Sequence, residues 1–103
     1  MKLTPEQAHH ELGALLNQLG PALAPIYLAF HTKHKVLMCD MPASVNKHHS
    51  FPGGYVVHVY EVVRNLVSRL ETVKAPANKL PGLAEAIIAA YVHDLDKLFW
   101  RYE

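Results

Sequence analysis

Along most of the chain, apolar residues recur at intervals of three and four, the spacing that lines one face of an α-helix. Leu12, Leu15, Leu16 and Leu19 keep that spacing until Gly20 interrupts it. Thr4 and Gln7 match a capping box, and Pro5 takes the first helical position, where its missing N–H costs nothing. A second helix is predicted over residues 21–39, with Leu23, Ile26, Tyr27, Phe30 and Leu37 as its buried stripe. Pro25 falls early enough to be tolerated in its first turn. A third is predicted over residues 55–73, carrying Val56, Val59, Val63, Leu66, Val67 and Leu70 inward. Valine is a poor helix former, by about half a kcal/mol per residue, so tertiary packing must hold this element. The fourth starts at Pro81 or Gly82 and runs through Ala86, Ile87, Ala90 and Tyr91 to His93, Asp94 and Leu98. Two breaks separate these runs: residues 40–54, rich in Pro, Gly and small polar residues, and the connector "KAPANKLPG". No repeat or low-complexity tract occurs, and the expected fold is an all-α bundle of about four main helices in one domain over residues 1–103.

Composition changes this picture in one respect. Half the residues are hydrophobic and 18% are charged, as in an ordinary globular domain. The formal charge is +1 and no run of five basic residues occurs, which disfavours a charge-driven duplex binder. Cys39 is the single cysteine, so an internal disulfide is excluded and a reducing compartment suits the chain. The first residues contain no apolar signal core, and no apolar run approaches a membrane span, so a cytoplasmic protein is expected. The anomaly is histidine, with eight copies. Imidazole is the commonest metal ligand and titrates near neutrality, so the excess points to metal chemistry or a pH response. For His9, His10, His31 and His34 the expected place is the surface.

The remaining histidines cluster around two motifs. His48, His49 and His58 surround a Pro-Gly-Gly turn in "NKHHSFPGGYVVHVY", and His93 precedes Asp94 in "AAYVHDLDKLFW". His58 falls one turn into the third helix and His93 near the end of the fourth, each flanked by apolar residues. Packed side by side, those helices would bring two imidazoles and a carboxylate together, a donor set suited to Mn²⁺, Fe²⁺, Co²⁺, Ni²⁺ or Zn²⁺. An uncoordinated Asp94 in an apolar core would cost several kcal/mol of desolvation. The alternative is a surface ion pair of Asp94 with Lys97, one turn on.

These motifs resemble the HD-domain metal-dependent phosphohydrolases, an all-α family. His58 in "GGYVVHVYEV" matches its early helical histidine, His93 and Asp94 match the doublet that names it, and Lys97 matches the lysine that often follows. The upstream "PASVNKHHSFPGG" is similar to the His-His-x-x-x-Gly-Gly lead-in of the branch holding certain 3′→5′ exoribonucleases and the HD domains of conjugative relaxases. The resemblance covers residues 42–98. It implies that His58, His93 and Asp94 hold one or two divalent ions. Asp94 would also orient the attacking water, whose pKa the metal lowers. Lys97 would neutralise charge developing on the phosphoryl oxygens. His48 and His49 would contact the phosphate or a second ion. Gly53 and Gly54 would let backbone approach the substrate and leave the N–H groups of the third helix for an anion.

Two positions depart from the family pattern. Asp96 stands where glycine is usual, and is expected to be a surface acid. No residue matches the family's last metal-ligating Asp, which lies on a later helix. The expectation is either a longer protein of which this is the N-terminal part, or a ligand from Asp40, Asp96, a loop histidine or a partner chain. The aromatic ending "KLFWRYE" points to self-association as a symmetric dimer or to a covering segment. The leading functional expectation is a phosphohydrolase acting on a nucleotide or a nucleic-acid 3′ end. The near-neutral charge favours a small nucleotide. Against it stand a non-catalytic binding or assembly module on the same scaffold, and a metal-free bundle whose histidines only stack or cap.

Overall fold

Thr4 begins the first helix as the sequence predicts. Its side chain accepts a hydrogen bond from the Gln7 N–H at 3.1 Å, and the Gln7 side chain accepts one from the Thr4 N–H at 2.9 Å. The computed structural model describes residues 3–42, 51–72, 82–93 and 95. Helix α1 spans Pro5–Leu16 and passes into a 3₁₀ turn over Asn17–Leu19, closed by Gly20 at a φ of 93°. Helices α2, Ala24–Lys33, and α3, Lys35–Asp40, follow; α4 spans Gly54–Thr72 and α5 spans Leu83–Val92. Among the described residues there is no strand, and the fold is all-α.

The core forms where the apolar faces of α1, α4 and α5 meet. Ala8, Leu12 and Leu16 from α1 face Val56, Val59, Val63 and Val67 from α4, and Ile87, Ala90 and Tyr91 from α5 complete the cluster. Burying each large aliphatic side chain contributes about 1.5–3 kcal/mol, which offsets the weak helix propensity of the α4 valines. Leu66 of α4 is half-buried against this cluster, and α5 packs chiefly on α4.

The predicted second helix is two helices joined at His34. There the backbone leaves helical geometry (φ −102°, ψ 20°), while the His34 ring packs at a tilt against Phe30 with centroids 4.4 Å apart. The buried stripe is also rotated from the expected one. Ala24, Leu28 and His31 turn inward, Ala24 and His31 fully, whereas Leu23 and Ile26 are exposed, Ile26 by 63%. Tyr27, Phe30 and Leu37, expected to be buried, are half-buried. Hydropathy alone misplaced the face because the residue that anchors it is a histidine.

Candidate metal centre

His58 belongs to the first turns of α4, half-buried beside its valines. His93 caps the C-terminal end of α5, where the last helical carbonyls lack intrahelical donors. Its Nδ1–H donates to the Ala90 carbonyl, three residues back. A carbonyl only accepts, so Nδ1 carries the hydrogen of this bond, and in the neutral ring the lone pair lies on Nε2. Packing of α5 on α4 then brings the two rings together in a tilted arrangement, their centroids 5.6 Å apart at an interplanar angle of 53°.

This spacing admits a shared ion. A metal about 2.1 Å from one nitrogen of each ring lies roughly 3.2 Å from each ring centre, so two coordinating imidazoles have centres at most about 6.4 Å apart. The observed 5.6 Å falls within that limit. A ligating histidine usually donates its other ring N–H to a backbone carbonyl or carboxylate, as His93 does to Ala90. The centroid spacing of His58 and His93 is thus compatible with a shared divalent ion. Among the described residues, no group of three or more His, Cys, Asp and Glu side chains is arranged around one point. The expected third ligand, Asp94, lies outside the described residues, as do Asp96, Lys97, His48 and His49. Asp40 is exposed at the end of α3.

Gly53 and Gly54 are buried. Gly53 has a φ of 82°, and a Cβ there would overlap the Pro5 ring and lie 2.7 Å from the Cys39 carbonyl oxygen. The chain's own packing thus requires glycine at 53 whether or not a ligand approaches. The N–H groups of Gly54 and Tyr55 donate to the carbonyls of Phe51 and Met41, both at 2.9 Å. Those two donors at the start of α4 are spent within the fold, contrary to the expectation that they await an anion. The Cys39 thiol points at the Pro5 carbonyl, and burial raises its pKa.

A second histidine pair contradicts the surface expectation for His9 and His31, which are 7% and 2% exposed. Their rings stack with centroids 3.6 Å apart and planes 4° from parallel. The His9 Nε2–H donates to the His31 carbonyl at 2.8 Å, and the His31 Nε2–H donates to the His9 carbonyl at 2.7 Å. The Tyr91 hydroxyl lies 2.9 Å from His31 Nδ1. Burial lowers the pKa of both imidazoles, that of His31 to about 4, and raises that of Tyr91. A signal for this cluster was present: His9 shares the stripe of Leu12 and Leu16, and His31 lies two turns beyond Ala24 on one face.

The chain matches no family model, no curated protein and no solved structure. No described helix is long and apolar enough to cross a membrane.

Proposed function

We propose that the chain is a metal-dependent phosphohydrolase of the HD type, with His58, His93 and Asp94 holding a divalent transition ion. One observation carries the reading: α4 and α5 hold His58 and His93 at 5.6 Å between ring centroids, with His93 Nδ1–H donated to the Ala90 carbonyl. A bound divalent ion would supply Lewis-acid polarisation of a phosphoryl oxygen and a lowered pKa for water. Asp94 adds the negative charge that balances the ion and orients the attacking water. Lys97 offsets charge on the phosphoryl oxygens, and His48, His49 and the Gly53–Gly54 turn border the substrate. The substrate is a phosphate ester, with a small nucleotide favoured over a long polyanion by the formal charge of +1. The protein works in the cytoplasm, as a homodimer through its aromatic C-terminal residues.

The test is phosphohydrolysis of a nucleotide panel with added Mn²⁺, Co²⁺ or Zn²⁺. Wild type should turn over at least one member, and Asp94→Asn should abolish turnover with helix content unchanged, because the amide keeps the shape but loses the charge. His48→Ala and His49→Ala should be milder and act on substrate binding first. Full activity in Asp94→Asn rules the mechanism out. Metal binding without turnover of any ester points to a binding module on the same scaffold.

A further inference from the structure

Helix α2 packs its large apolar side chains, Tyr27, Leu28 and Phe30, only part-buried against the core. Its fully buried residues are Ala24 and His31, while Leu23 beside it and Ile26 within it remain exposed. The His31 ring is the larger of the two anchors, and it is held on three sides. The His9 ring covers one face, the His9 carbonyl takes its Nε2–H, and the Tyr91 hydroxyl meets its Nδ1. Gly13 of α1 leaves room beside it: a Cβ there would sit 3.5 Å from the imidazole carbon Cδ2.

The protonation state follows from these partners. Both carbonyls can only accept, so both Nε2 atoms carry hydrogen. His31 Nδ1 is then the bare nitrogen, and it accepts from the Tyr91 O–H. We infer that His31 is a proton-operated latch, which holds α2 against α1 and α5 while its imidazole is neutral and lets α2 go when Nδ1 takes a proton. A proton there turns an acceptor into a second donor, to which the Tyr91 oxygen can accept only by turning its own O–H away from Nδ1, and it places a cation 3.6 Å above the His9 ring. The buried Tyr91 O–H would then have lost its acceptor, and a buried donor left unsatisfied is costly.

The groups around the pair do not compensate such a charge. From α1 come His9 and His10, from α3 comes Lys35, and from α5 comes Tyr91 with Tyr55 of α4 behind it. On α2 itself the remaining titratable groups are Tyr27 and Lys33. The carboxylates of α1, Glu6 and Glu11, are exposed, and no acidic group acts on either imidazole among the described residues. The neutral form is thus the one this site accommodates, in agreement with the depressed pKa of His31.

The sign of the effect follows by linkage. A released His31 titrates at the ordinary 6.5 and the latched one at about 4. The open state therefore binds more protons between those values, so closure is complete above 6.5 and weakens as the pH falls toward 4. Between pH 7 and 5 the opening constant of α2 should rise roughly 20-fold. The test is native-state hydrogen exchange on the full chain at pH 7 and pH 5, as protection factors, with ¹⁵N spectra of the histidine rings. The expected result is Nε2–H tautomers for His9 and His31, His31 titrating near 4 in the latched state, and protection lost in residues 24–33 while α4 keeps its own. Tyr91→Phe removes the donor to Nδ1, and its α2 transition should move to higher pH. Equal loss of protection in α2 and α4, undiminished α2 protection at pH 5, or a Tyr91→Phe transition at the wild-type pH would each overturn the latch.

Discussion

At position 53 a methyl group would have to occupy space held by the Pro5 ring, and the backbone would have to keep a φ of 82° that L side chains rarely adopt. Both costs fall on one residue, and relief of either moves α1 or the end of α3. Gly53→Ala is therefore expected to destabilise the fold by about 2 kcal/mol or more, read as a lower urea midpoint at unchanged slope. Tyr91→Phe removes one oxygen and leaves buried His31 Nδ1 without its donor, at an expected cost of about 1–3 kcal/mol at neutral pH. A cost below half a kcal/mol would mean that water or another donor replaces the hydroxyl. The residues of the two motifs thus differ in kind: Gly53 answers to packing within the chain, whereas His58 and His93 carry the chemistry proposed.

At the scale of elements, much was legible where local signals and burial agree. Thr4, Pro5 and Gln7 fix the start of α1, and the valine stripe of α4 lies inward as its spacing predicts. Thr4→Ala should cost about 1 kcal/mol through loss of the cap, visible as a lower melting temperature. Gly13 offers the opposite case, since it spends backbone entropy mid-helix and a Cβ would meet its neighbours only at ordinary contact distances. Gly13→Ala should stabilise by about 0.5–1 kcal/mol, and a loss of stability instead would show that the His31 ring cannot tolerate the methyl group. What hydropathy could not reveal was the division of the second helix at His34 and the rotation of α2. The rotation depends on partners distant in sequence: the His31 site is built by residues 9 and 91, far along the chain in either direction. Of the candidate site, α4 and α5 do bring the rings of His58 and His93 to 5.6 Å, though His58 is half-buried and His93 exposed where a buried spot was expected, and Asp94 lies outside the described residues. Spacing did not anticipate that Gly54 and Tyr55 spend their N–H groups on nearby carbonyls.

For the whole molecule, the proposed ion would tie α4 to α5 near the C-terminal end of α5, adding to an interface already built from Val63, Ile87 and Ala90. A ligand that binds only the folded state stabilises it by mass action, by about 2.7 kcal/mol at a concentration one hundred times Kd. The central claim is that His58 and His93 belong to one metal centre. Elemental analysis of the purified full chain after loading with Zn²⁺ and desalting, for wild type beside His58→Ala and His93→Ala, tests it most directly. The account predicts at least one ion per wild-type chain and a several-fold loss in both variants, with helix content retained. Equal metal in all three proteins, or none in wild type, would contradict it.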